Sequence, residues 1–307
     1  MPDDARVNDF RRYKIEVVRK RKWGYNKNRP ITREQVIFLS DIVDLKYEEE
    51  DLKLLAGFTL LDDDFMTIVF DRNIGATELV LNIILGRDDM KVMEVVAQRE
   101  YKNPVTDGRS IKLDIYAKDA DGKVYDIEVQ NEDAGADIHR ARFHSSMLDI
   151  KMLKTKQRFK EIHDSYVIFI TKNDYMKMGL AMYHVERMVQ EAGTLFEDGS
   201  HIIYVNGNYK NTDDPIGKLM HDFRCTSAVD MFYPELADPV RHFKETEGGR
   251  RQVCKAMEEF SKKIVIKEKE ASAIKMIARG KLTMEEIAED LGLPVERVEE
   301  LAELQPV

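Results

Sequence analysis

Two short apolar runs on either side of a tight turn constrain this chain more than any other feature. "SIKLDIYA" (110–117) and "KVYDIEVQ" (123–130) are rich in β-branched and aromatic residues, and the turn between them closes on "DADG", so they read as the arms of a β-hairpin. A three-residue loop with Gly122 in the left-handed position, a type I turn plus G1 bulge, centres the pairing on Asp121. That register sets Asp114 opposite Glu128 with Cβ atoms roughly 5 Å apart. Two carboxylates at that separation repel unless one is protonated or a cation lies between them. Mg²⁺ suits such a pair, since one or two carboxylates commonly hold it while waters and phosphate oxygens complete its octahedron; Mn²⁺ is the second choice of ion. A slip of one residue would turn Asp114 to the wrong face. Alternation along the second run independently sets Glu128 and Gln130 on one face, with Ile127 and Val129 on the other.

The flanking sequence supplies the rest of a core. "LLDDDFMTIVFDRNIGATELVLNIIL" (60–85) has helical spacing, with Phe65, Ile68 and Val69 on one apolar face and Leu79, Leu81, Ile83 and Ile84 on a second after Gly75. "KVMEVVAQREYKN" reads as a strand. From Asp137 to Ile162 the pattern is helical again, with Ile138, Ala141, Leu148 and Met152 as inner positions. "SYVIFITKND" suits a buried central strand, and "HIIYVN" suggests another. Helix, three strands, helix, strand describes an α/β (α+β) core rather than a repeat or a bundle.

With 307 residues, 43% of them hydrophobic, the chain can bury a substantial core. One main domain at 56–245 is expected, with a basic N-terminal arm at 1–55 and a helical C-terminal module at 246–307. No apolar run is long enough to span a membrane, and the N-terminus is charged, so a soluble, non-secreted, cytoplasmic protein is expected. Cys225 and Cys254 are far apart in sequence and form no CxxC, so neither a disulfide framework nor a cysteine zinc site is suggested. His139, His144 and His163 have no HxxxH or HExxH spacing and read as surface or core residues rather than ligands.

The net charge of −9 argues against a polyanionic partner, but a site samples the field of its own face. Ten Lys or Arg stand against one acid between Phe10 and Arg33, and seven against two between Asp137 and Lys160, so both stretches can meet nucleic acid. The C-terminus is different. "LTMEEIAEDLGLPVERVEEL" has helix-turn-helix spacing through Ala288, Gly292 and Val298, yet residues 283–303 carry eight acids against one base, Arg297. Such a surface opposes the phosphate backbone. It is read instead as a module for self-association or a protein partner, which makes a homodimer through these helices the expectation.

"LDIYAKDADGKVYDIEVQ" resembles the core motif of the PD-(D/E)XK nuclease superfamily, in the branch of Rpn-type recombination-promoting nucleases or putative transposases. The "GRSIKLD" lead-in, the "HRARFHSSMLDIKML" helix, "VIFITKND" and "FEDGSHIIYVN" match that branch, so the resemblance covers roughly residues 60–244. It implies a restriction-endonuclease-like core, a central mixed sheet flanked by helices, with the C-terminal helices as an appendage. It further implies Asp114 and Glu128 as metal ligands, the Val129 carbonyl as a third, Gln130 in the place of the superfamily lysine, and Glu78 as the acid of the first core helix. Glutamine can orient a water but supplies no positive charge, so the metal must do more. Arg140, Arg142, Lys151 and Lys154 would hold phosphates. The function implied is a Mg²⁺-dependent DNA endonuclease serving recombination or a mobile element. A silent nucleic-acid- or protein-binding domain on the same fold, and an RNA-directed nuclease, are the alternatives.

Overall fold

The computed structural model describes residues 52–106 and 108–303; the basic run of the expected N-terminal arm lies outside the described residues. Two compact units divide between Val253 and Cys254. One helix stops and the next begins at Thr246, and the first unit continues to Val253.

After helical residues 52–57, the first unit continues with α1 (Asp63–Phe70) and α2 (Ile74–Leu85). The long apolar stretch is interrupted at Asp71–Asn73 rather than at Gly75, because the Asn73 side chain accepts from the Ala76 N–H at 3.1 Å and caps α2. Strands β1 (Val92–Tyr101), β2 (Ile111–Asp119) and β3 (Val124–Gln130) follow as an antiparallel set. Helix α3 (Ile138–Met152) then carries the chain to β4 (Ser165–Thr171), which is parallel to β3. A parallel pair needs such a crossover. After β5 (Met182–Val185) and a small ribbon of β6 (Met188–Val189) and β7 (Thr194–Leu195), β8 (Ser200–Asn206) pairs parallel to β4 and antiparallel to β5. The result is a six-stranded mixed sheet in the order β1-β2-β3-β4-β8-β5. β3 and β4 are buried along nearly their whole length, as a central pair covered on both faces must be. α3 packs on β4 and β8, α1 and α2 pack on β1, and α4 (Pro215–Arg224) and α5 (Pro234–Glu245) close over α2.

α3 is shorter than its sequence suggests. It stops at Met152 rather than continuing to Ile162, with Leu153 already extended. Between Leu153 and Phe159 no apolar residue recurs, so nothing would hold a further turn against the sheet. Gln157 instead accepts from the Lys154 N–H at 2.6 Å. Ile138, expected inside, is 54% exposed because it is the first residue of the helix, whereas Ala141 and Leu148 are buried.

The second unit contains most of α6 (Glu247–Arg279), then α7 (Met284–Leu291) and α8 (Val295–Glu303). Ala273, Ile287, Ala288, Val298 and Leu301 form its small core. A capping box on Thr283 starts α7, and Gly292 at φ +58° turns the chain into α8. Arg297, the one base of this segment, is bonded to Glu270 at 2.8 Å and to Glu300 at 2.6 Å. Among the described residues no helix is long and apolar enough to cross a membrane.

Candidate active site

The hairpin closes as the turn demands. Gly122 has φ +85°, and Ile115↔Ile127, Tyr116↔Asp126 and Lys118↔Val124 are paired, so the register is centred on Asp121 and its continuation sets Asp114 against Glu128. The backbone ladder ends at Ile115. Beyond it the side chains take over: Glu128 Oε1 accepts from the Asp114 N–H at 3.1 Å, and Asp114 Oδ2 accepts from the Val129 N–H at 3.1 Å. Each carboxylate thus satisfies a backbone donor that the parting strands would leave bare.

Asp126, Glu128 and Gln130 alternate onto the face that α3 covers. Asp137 caps α3 by accepting from the His139 N–H at 2.8 Å, and this start point turns Arg140 and His144, one helical turn apart, toward β3. Arg140 Nη2 bonds Glu128 Oε2 at 2.5 Å, and Nη1 bonds Gln130 Oε1 at 3.3 Å and the Gly135 carbonyl at 3.0 Å. Its Nε lies 3.4 Å from His144 Nε2. His144 Nδ1 lies 2.8 Å from Asp126 Oδ2 and 3.7 Å from Glu128 Oε1. Gln130 Nε2 also reaches Glu128 Oε2 at 3.4 Å.

A third element completes the wall on the Asp114 side. Gln98, opposite Asp114 in the β1–β2 register, stands at φ +56°, a conformation costly for a residue with a side chain. Its amide nitrogen reaches Asp63 Oδ1 at 3.2 Å and Asp114 Oδ1 at 3.5 Å. Asn131 binds the Leu61 carbonyl and ties the end of β3 to the approach of α1.

The electrostatics follow from four acids and few cations. Burial pushes the Asp114 carboxyl well up, helped by Glu128 and Asp63, while the Val129 N–H and Arg140 pull back. Glu128, fully buried, is pushed up to about 8 by burial and by Asp126, against the pull of His144 and Arg140. Burial also raises Asp126 well above its ordinary value and lowers the His144 imidazole. Asp126 Oδ1 is buried with no hydrogen-bond partner. An oxygen-rich pocket with surplus negative charge and an orphaned carboxylate oxygen is what a hard divalent cation relieves, so the donor set fits one. Asp126, Glu128 and His144 offer ligand atoms within 4.8 Å of one another and could hold it, and Asp114 adjoins Glu128.

Not every expected site residue gathers here. Glu78 does not: its carboxylate accepts from the Val92 N–H at 2.8 Å, at the opposite end of β1 from Gln98. The helix acid brought beside Asp114 is Asp63, and the signal for it was the "DDD" run at the start of α1. Arg140 is at the carboxylates, Arg142 is exposed on the outer side of α3, and Lys151 and Lys154 lie about 16 Å or more further along at 1.5 Å per residue. Lys151 rests 5.7 Å from the centre of the Tyr101 ring. His144, read from sequence as an ordinary histidine, sits inside the cluster. Its signal was a pairing across elements, which spacing along the chain does not display. A second group, His221, Asp222 and Cys225, is structural in character: Asp222 accepts from the Phe232 and Tyr233 N–H groups at 2.8 and 2.9 Å, and burial pushes the Cys225 thiol up to about 11.

Residues 75–214 match the model of a family described as PD-(D/E)XK nuclease family transposase. No curated protein and no solved structure matches the chain. The matched stretch includes β1, β2, β3, α3 and β4 and every residue of the carboxylate cluster except Asp63. With that match laid over the mixed sheet and its parted hairpin, residues 75–214 are similar to the PD-(D/E)XK nuclease family transposases.

Proposed function

We propose that this protein is a divalent-metal-dependent endonuclease, using Mg²⁺ or Mn²⁺, that hydrolyses phosphodiester bonds of DNA. The observation that carries the reading is the interleaved pair of Asp114 and Glu128, where a hairpin parts and leaves buried negative charge beside Arg140 and Gln130. When bound there, the cation would lower the pKa of a water and offset charge on the phosphate. The chain's own groups do the rest. Asp114 and Glu128 would hold the ion, Gln130 would orient a water through its amide, and Arg140 would meet a phosphate oxygen. Arg142, Lys151 and Lys154 extend the basic track along which the strand would lie.

The finer parts of this reading rest on the family and on charge. The family points to DNA as substrate and to recombination or transposition as the setting. One site handles one strand, so double-strand cutting favours a homodimer, and the acidic C-terminal helices suit self-association better than DNA. A cytoplasmic enzyme with a basic arm at 1–55, a catalytic domain at 56–245 and a helical module at 246–307 is the arrangement proposed.

The test is cleavage of supercoiled plasmid by the full chain with Mg²⁺ or Mn²⁺, with EDTA as control. Nicking by the wild type that Asp114→Ala and Glu128→Ala both lose supports the reading. Cleavage that survives both substitutions, or an inert wild type that still binds DNA, overturns it. Faster cutting of RNA than of single- or double-stranded DNA would move the substrate class but keep the site.

A further inference from the structure

Gln130 leaves this site without a cation on its own strand, and a buried side-chain chain supplies one from α3. Arg140 has five N–H donors in a planar fork. Four meet acceptors among the described residues: Nε meets His144 Nε2 at 3.4 Å, Nη1 meets Gln130 Oε1 at 3.3 Å and the Gly135 carbonyl at 3.0 Å, and Nη2 meets Glu128 Oε2 at 2.5 Å. The fifth, on Nη2, remains, and the side chain is 34% exposed, so the fork is pinned at its base and open at one tip. Phe169 lies beneath the guanidinium, 5.9 Å from ring centre to Cζ.

The Nε contact sets a condition on His144. An arginine Nε–H only donates, so Nε2 of the imidazole must carry its lone pair there, and the ring proton must be on Nδ1. Asp126 Oδ2, 2.8 Å from Nδ1, accepts that proton and fixes the tautomer. Asp126 and His144 are both buried. A buried polar pair of this kind is weak evidence for a role in stability alone.

We propose that Asp126 and His144 form a positioning relay that locks the guanidinium of Arg140 across Glu128 and Gln130, so that its free Nη2–H is presented to a phosphate oxygen. The relay rests on the nuclease reading for its purpose and on hydrogen-bond geometry for its existence. Arg140 then supplies, from a neighbouring helix, the positive charge that Gln130 lacks. A guanidinium held in this way needs no reorganisation when charge develops on the phosphate.

The test has two parts that fail separately. Long-range ¹H–¹⁵N correlation on the metal-free full chain labelled with ¹⁵N-histidine reads the tautomer, and His144→Phe assigns the signal. A neutral His144 protonated on Nδ1, with the Arg140 Nε–H resonance shifting in His144→Phe, is the expected result. A proton on Nε2, or no change at Arg140, overturns the relay even if the protein cuts nothing. In single-turnover cleavage, Arg140→Gln should cost about 10²-fold and His144→Phe about 10–100-fold, in kcat rather than KM. The double variant should be no worse than Arg140→Gln alone, because His144 acts through Arg140. Losses that multiply, or a His144→Phe enzyme at full rate with an unchanged melting temperature, would sink the proposal. An inert wild type would refute the nuclease reading and leave the tautomer to decide the relay.

Discussion

The two ends of one hairpin bury carboxylates in opposite ways. At the turn, Asp119 is 5% exposed; its Oδ1 accepts from the Lys123 N–H at 2.9 Å and its Oδ2 from the Tyr125 hydroxyl at 2.7 Å. Each oxygen has a neutral donor, and burial together with Asp119 holds the Tyr125 phenol in its protonated, donating form. At the open end, Asp114, Asp126 and Glu128 crowd together with one guanidinium, one imidazole, two backbone N–H groups and the long contacts of the Gln98 and Gln130 amides between them. Donors matched to lone pairs make a carboxylate part of the scaffold. Like charges with too few donors make a site that waits for a cation.

That contrast is broken most directly by removing one acid from each end. Asp114→Ala and Glu128→Ala are expected to reduce plasmid nicking by more than the roughly 10–100-fold that follows loss of a group that merely orients a metal ligand. Asp119→Ala, assayed well below its melting temperature, should nick at close to the wild-type rate. Equal losses at both ends would mean that the whole hairpin, and not its open end, carries the activity.

Stability should run the other way. Asp119→Ala leaves the buried Tyr125 hydroxyl with only Met90 Sδ, at 3.9 Å, and removes the acceptor of the half-buried Lys123 N–H, at a cost of about 1–3 kcal/mol for a buried group left unpaired. Glu128→Gln removes a buried charge and keeps an acceptor for Arg140, so the metal-free variant should melt at or above the wild-type temperature near pH 8. Calorimetry that ranks the two variants the opposite way would refute the distinction.

The same surplus charge gives a pH dependence whose sign can be stated. Glu128 in the folded protein is pushed up to about 8 from an ordinary value of 4.5, so between those values the folded chain binds more protons than the unfolded one. Stability contributed by the open end is therefore present at low pH and lost as pH rises through that window. Asp114 and Asp126 shift in the same direction. Without metal, the melting temperature should fall by a few degrees from roughly pH 5 to pH 8, at about 2–4 °C per kcal/mol. Mg²⁺ or Mn²⁺ should restore it more at pH 8 than at pH 5. Glu128→Gln should flatten the slope, and a wild-type slope of zero would remove the buried-charge argument.

What could be read from the sequence was whatever short-range chemistry fixes. The turn residues set the hairpin register, alternation put Glu128 and Gln130 on one face, and continuous apolar runs marked β4 and β8 as interior strands. Contacts between distant elements were not readable. Asp63 reaches Asp114 through Gln98, whose positive φ no local pattern announces. His144 finds Asp126 only because α3 is laid across β3 with its start fixed by Asp137. Glu78 has the residue type of a helix acid, but tertiary packing spends it on the Val92 N–H. The end of α3 at Met152 has the same cause, since no apolar residue beyond Leu153 offers a further turn something to pack against before Phe159.

The finest test of the open end concerns a single methyl group. A Cβ on Gly135 would lie 1.9 Å from Gln130 Oε1, the far end of a flexible side chain held only by long hydrogen bonds of 3.3 and 3.4 Å. Gly135→Ala should therefore cost little stability, within about 1 kcal/mol, while displacing the amide that Arg140 and Glu128 share. If Gln130 orients the attacking water, cleavage should drop several-fold with metal affinity unchanged, because the carboxylates stay in place. Gln130→Ala should show the same loss, and Gly135→Ala added to it should do nothing further. A second drop in that double variant would mean that the methyl group disturbs Arg140 through the Gly135 carbonyl, which would shift the small effect from Gln130 to the guanidinium.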